Sequence, residues 1–132
     1  MVTREDLESF FIRMDAEAEE VDEGMYLVRA RNGGPSMVIH YTPPLLLLRM
    51  KVMDLPADGS ADLYRALLEL NASDLMHGSY GIEEDELILA DTLELETLDF
   101  EEIRASVESM QMAATGHLER IRGLAGSTPV EG

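Results

Sequence analysis

The stretch from Leu63 to Ile103, LYRALLELNASDLMHGSYGIEEDELILADTLELETLDFEEI, constrains the fold more than any other part of the chain. Leu63, Leu67 and Leu70 recur at helical spacing with Tyr64 and Leu68 beside them, and Ser60 stands where a cap is needed, so a helix is expected over Ala61–Leu70. Two strand-like runs follow, Met76–Ile82 and Leu87–Leu93, joined by the acidic turn Glu83-Glu84-Asp85-Glu86. Asp99 with Glu102 three residues later reads as a capping box opening a last helix to about Leu124. On that helix Ile103, Val107, Met110, Ala114, Ile121 and Leu124 share one stripe, with His117 filling the remaining place.

The first half reads with the same rules. Thr3 and Asp6 form a capping-box-like start. Leu7, Phe10, Phe11, Met14, Ala18 and Val21 then fit one helical stripe, which predicts a helix ending near Val21, where Asp22-Glu23-Gly24 breaks it. Met25–Arg31 and Ser36–Thr42 flank Asn32-Gly33-Gly34-Pro35, a hairpin signal because Asn and Gly accept positive φ. Pro43-Pro44 cannot donate ladder hydrogen bonds and marks a break. In Leu45–Met53 the alternation assigns Leu46, Leu48, Met50 and Val52 to the core. It leaves Leu45, Leu47, Arg49, Lys51 and Met53 on a face that is half apolar and half basic, a candidate contact surface. The expected order is α-β-β-β-α-β-β-α, an α+β single domain over residues 1–126 with one antiparallel sheet packed by helices, and 127–132 as a disordered tail.

Charge narrows the function. The chain has 27 acids against 10 bases, a formal net charge of −17, which opposes nucleic-acid phosphates. Residues 57–98 hold 11 acids and Arg65 alone, whereas the bases of residues 25–56 are Arg29, Arg31, Arg49 and Lys51. These four are read as neutralising the acidic helices around them or as a docking patch for an acidic partner. There is no cysteine, as is usual in a reducing cytoplasm, and the longest apolar run, Leu45–Leu48, is too short to span a bilayer. The N-terminus lacks the apolar core of a signal peptide. No membrane association is expected.

No motif points to a reaction. Glu83 to Glu86 sit on a turn where solvation is easy, not in the apolar cleft that separates the pKa values of paired catalytic acids. They also lack the spacing of a calcium loop. His40, His77 and His117 are not at metal-ligand spacing. Gly78-Ser79-Tyr80-Gly81 matches an RNA-clamping GxxG loop in pattern but has acidic neighbours. Catalytic, cofactor and metal sites are all expected to be absent. Nine methionines with no tryptophan suit irregular packing and adaptable surfaces. Met53 and Met112 fall off their elements' main stripes, and His117 interrupts an apolar one. With Leu45, Leu47, Arg49 and Lys51 they make up the candidate partner or dimer surface.

The leucine-rich helix Leu67-Leu68-Glu69-Leu70-Asn71, the Tyr80-Gly81 strand, the acidic turn and Leu87-Ile88-Leu89-Ala90 before the last helix resemble the YbjN family, whose fold is similar to that of class I type III secretion chaperones. The resemblance implies a small, cytoplasmic, homodimeric protein that binds a segment of another protein, as a chaperone or regulator, and uses no nucleotide. It carries over no catalytic residue. Two other readings are a small enzyme or ligand-binding domain using His40 or His77 beside a carboxylate, and a structural subunit of an assembly. A long last helix overhanging the sheet, together with the mixed strand face, is expected to be covered in a homodimer.

Overall fold

The computed structural model describes residues 1–30, 33–58 and 60–126. Arg31 of the basic block, Asn32 of the expected turn and the tail from Ser127 lie outside them. Nine elements follow in order: α1 (Arg4–Arg13), β1 (Glu17–Asp22), β2 (Met25–Arg29), β3 (Met37–Thr42), β4 (Leu45–Asp54), α2 (Ala61–Ser73), β5 (Ser79–Glu83), β6 (Glu86–Glu94) and α3 (Phe100–Leu124). The strands form one antiparallel sheet in the order β1-β2-β3-β4-β6-β5. The α+β class and the antiparallel sheet packed by helices are as expected.

Several boundaries differ: α2 runs on to Ser73 instead of Leu70, and β5 begins at Ser79, so Met76 lies in the connection before it. The largest difference adds a strand. α1 ends at Arg13, not near Val21. Asp15 adopts a left-handed φ of 55°, and the Asp15 and Ala16 N–H groups donate to the Ile12 and Phe11 carbonyls. That is the Schellman arrangement, with Asp where Gly is usual. Ala18 and Val21 therefore belong to β1, and Asp22-Glu23-Gly24 turns the β1–β2 hairpin, with Gly24 at φ 74°. Pro43-Pro44, joined by a cis peptide bond, forms the tight turn between β3 and β4, across which Thr42 pairs with Leu45. Glu84 and Asp85, both at positive φ, turn β5 into β6 in the manner of a type I′ hairpin.

The helix starts follow their caps. Thr3 and Asp6 complete a reciprocal capping box, Ser60 accepts from the Leu63 N–H, and Asp99 accepts from the Glu102 N–H. The Thr3 contacts lower the Asp6 carboxyl below its ordinary range.

The core lies on one side of the sheet. A row of paired residues crosses every strand, Ala18–Val28–Met37–Met50–Leu89–Tyr80, and all but the half-buried Ala18 are buried. Leu7 and Phe11 of α1, Leu63, Leu67 and Leu70 of α2, and Ile103, Val107 and Met110 of α3 are buried in the same cluster. Gly78 is required where it stands: its φ is +81°, and a Cβ there would come within 3.3 Å of Met110 and 3.2 Å of the Ala90 carbonyl. The stripe of α3 does not overhang, since Ile121 and Ala125 are buried within the single chain.

Candidate partner-binding surfaces

Because every strand alternates, the row next to the core row faces the opposite side, and among the described residues no helix covers it. It runs Glu19–Leu27–Val38–Arg49–Ala90–Ser79, and beside it lie Met25–His40–Leu47–Thr92, Thr42–Leu45–Glu94 and Lys51–Ile88–Gly81. Leu27, Val38, Ala90, Met25, Leu47, Leu45 and Ile88 give this open face an apolar centre, each half-buried only by its neighbours in the sheet. The candidates Leu45, Leu47, Arg49 and Lys51 are thus together on one surface. Leu27, Val38 and Ile88 belong to it too. Their alternation was readable within each strand, but which strands would be neighbours was not.

Met53 does not belong there. A bulge between Lys51 and Met53 shifts the register, so Met53 pairs with core-facing Leu87 and packs against the core. Parity counting fails at one inserted residue.

The bases on this face are engaged. Arg29 pairs with Glu19 at 3.0 Å and Arg49 with Glu83, while Lys51 lies between Asp54 at 3.0 Å and Glu86 at 3.2 Å. Hydrogen bonds to Asp54 and then Glu86 raise the Lys51 ammonium above its ordinary pKa. These pairs are exposed and contribute little stability. Their effect is to neutralise a mosaic of both signs around the apolar centre, and the acids come from the strands and their connections, not from the helices.

Met112 and His117 lie in the helical layer, away from the open face. Met112 is 73% exposed. His117 needs no partner chain to satisfy it: the Tyr80 hydroxyl donates to Nδ1 at 2.8 Å and, with the ring proton on Nε2, His117 donates to Asp74 at 2.5 Å. Asp74 is the C-cap of α2, so this chain of contacts ties α2, β5 and α3 together. Burial pushes the Tyr80 hydroxyl up to about 12, with the Asp74 charge adding to it.

Tyr80–His117–Asp74 has the composition of a relay but the wrong exposure. A working triad exposes its nucleophile and buries the acid that orients the base. Here the hydroxyl is buried and holds its proton more tightly than usual, and the Asp74 side chain is 59% exposed. Among the described residues, neither of the other two histidines has the expected carboxylate. His77 contacts the Ser106 hydroxyl at 3.3 Å, and His40 lies between Met25 and Leu47 on the open face.

The CesT_Tir_1 family model matches residues 2–127. This chain belongs to that family of type III secretion chaperones. Solved structures share the fold. A chain of the heterodimeric ExoU–SpcU complex from Pseudomonas aeruginosa superposes with a TM-score of 0.69 at 11% identity, over 84% of this chain and 93% of that one. YbjN from E. coli gives 0.68 at 15% identity, over 91% and 94%. A chain of the Yersinia pestis structure of the secretion chaperone SycH with a fragment of YscM2 gives 0.60 at 17%, over 83% and 94%. No curated protein sequence matches the chain. Among the described residues, no helix is long and apolar enough to cross a membrane.

Proposed function

We propose that this protein is a cytoplasmic, non-enzymatic binding module, chaperone-like or regulatory, that acts as a homodimer and holds a segment of a partner protein without nucleotide. The observation that carries the reading is the open sheet face. Its apolar centre spans four of the six strands, β2, β3, β4 and β6, and among the described residues no helix packs on it, while the opposite face of the same sheet is closed by all three. An apolar surface of that breadth, ringed by paired charges, is suited to another polypeptide, either the partner or a second copy. The complex of SycH with a YscM2 fragment is consistent with this.

Two copies at −17 each repel, but that repulsion is screened within about 8–10 Å at ordinary salt, so dimer affinity is expected to rise with ionic strength. Light scattering across a salt series tests this, and a monomer mass at tens of micromolar protein and moderate salt removes the homodimer. A photo-crosslinking residue at Leu47 tests the face itself. It is expected to capture a second copy or another protein inside the cell, and Leu47→Lys to abolish that contact. Crosslinks no richer than those from a control position at exposed Glu119 overturn the reading.

A further inference from the structure

Two hollows lie side by side on the helical layer, and of their lining only Arg29 belongs also to the open sheet face. The larger, about 650 Å³, runs between the α2–β5 connection and α3, with Met76 and Met112 among its walls. The smaller, about 270 Å³, lies between the C-terminal end of α1, β2 and α3, and includes Met14 and Gln111. Glu108 and Met112 line both and so form the ridge between them. Together the hollows make one trough across α3. Met76 is 86% and Met112 73% exposed, so two apolar side chains face solvent together in the larger hollow. Methionine is unbranched and polarisable, so it can repack against side chains of different shape.

Two further observations specify what fits. Gln111 Nε2 is buried and has no hydrogen-bond partner. A buried amide donor left unmade is costly, and an acceptor brought by an incoming main chain relieves it. The charges lining the trough are also one-sided. Glu108 is exposed at its centre and Asp74 lies at one end, while Arg29, the only arginine or lysine among the described lining residues, is held by Glu19. A second copy fits poorly, because two-fold pairing of this trough sets Glu108 against its own image in an already acidic molecule.

We infer that this methionine-walled trough receives a stretch of the partner polypeptide in which a lysine or arginine lies between two apolar side chains. The apolar side chains occupy the two hollows, the base lies over Glu108, and a main-chain carbonyl accepts from Gln111. The inference rests on the partner-holding reading and gives it a second place and a chemistry.

The nine methionines supply the test. With [13C]methyl-methionine protein, a synthetic peptide of leucine–lysine–leucine triplets spaced by serine and glycine is expected to shift the Met14, Met76 and Met112 methyl signals. The core methyls of Met37 and Met50 stay in place, and the same peptide with glutamate for lysine produces no shifts. Glu108→Lys, an exposed change that leaves the core untouched, is expected to weaken the lysine peptide roughly tenfold or more and to admit the glutamate peptide. Equal binding of both peptides overturns the inference. Shifts at Met25 alone overturn it while leaving the partner-holding reading intact, because Met25 reports the open sheet face. No shift at any methyl at millimolar peptide also overturns it, and the Leu47 crosslinking then decides the broader reading separately.

Discussion

The two edges of the sheet are finished in different ways. At β5 the backbone of Tyr80 points outward, and the Asn71 side chain takes both of its groups: Tyr80 N–H donates to Oδ1 at 2.7 Å and Asn71 Nδ2 donates to the Tyr80 carbonyl at 3.2 Å. One carboxamide from α2 thus imitates a further strand. At β1 the outer edge is defended by charge, with Glu17, Glu19, Glu20 and Asp22 exposed and a bulge between Glu20 and Asp22. Both devices discourage edge-to-edge pairing. They differ in what they permit nearby. The sealed edge carries an exposed apolar residue on the edge strand itself, Ile82 at 57%, beside Leu68 of α2 at 69%, whereas β1 exposes Val21 only between acids and its exposed apolar neighbour, Ile12 at 78%, is on α1.

Removing the seal is the largest expected effect. Asn71→Leu leaves the Tyr80 N–H and carbonyl unpaired in a partly buried position, at a cost of about 2–3 kcal/mol. Thermal unfolding should move down by roughly 6–12 °C. Light scattering should also show self-association that rises with salt, because the freed strand lies beside Ile82 and Leu68. An equal loss of stability without association would show that α2, and not the carboxamide, protects the edge.

Next in size is Tyr80→Phe, which removes the hydroxyl from His117 and costs about 1 kcal/mol. It also changes the response to alkali. The folded pKa of Tyr80 is raised from 10.0 to about 12, so the neutral phenol is the form favoured by folding. That contribution is complete below pH 10 and is lost as pH rises towards and through 12. Tyr80→Phe should therefore flatten part of the alkaline limb of a stability-against-pH curve. Tyr26 is raised as well, mainly by burial and also by its hydrogen bond to Glu8, so some alkaline loss remains in the variant.

The sealed edge shows what the sequence could and could not announce. The helix over α2 and the turn at Glu83–Glu86 were legible because leucine spacing and turn chemistry act locally. That Asn71 would meet Tyr80 depends on the angle at which α2 lies against β5, which no local pattern encodes. The same limit hid β1. Its acids show no alternation because the strand is exposed along almost its whole length, and Ala18 and Val21 happened to extend the stripe of α1. Asp15 in the left-handed region carried the only stop signal, and Asp is a weak marker for that conformation. On the open face, Leu45 and Leu47 could be paired by parity with Arg49 and Lys51, but not with Val38 or Ile88 across strands. Met53 was misplaced by a single bulge. His117 was visible as an interruption, while its internal partners Tyr80 and Asp74, far off in sequence, were not.

The hairpin turns beside the two edges offer the smallest and most exact comparison. The β1–β2 turn has Gly24 at φ 74°, where a Cβ would come within 3.2 Å of the Tyr41 carbonyl. Gly24→Ala is therefore expected to cost about 1–2 kcal/mol. The β5–β6 turn places Asp85 at φ 64° with no glycine, so the complementary change has the opposite sign. Asp85→Gly relieves the left-handed strain and removes one of four consecutive acids. The greater freedom of glycine in the unfolded chain offsets part of the gain. The Leu55 N–H bonds the Asp85 main-chain carbonyl, which the change retains. A net stabilisation of about 0.5 kcal/mol follows, a rise of roughly 1–3 °C in thermal midpoint. If Asp85→Gly instead lowers the midpoint, the carboxylate itself holds the turn, and the edge at β5 depends on its hairpin as well as on Asn71.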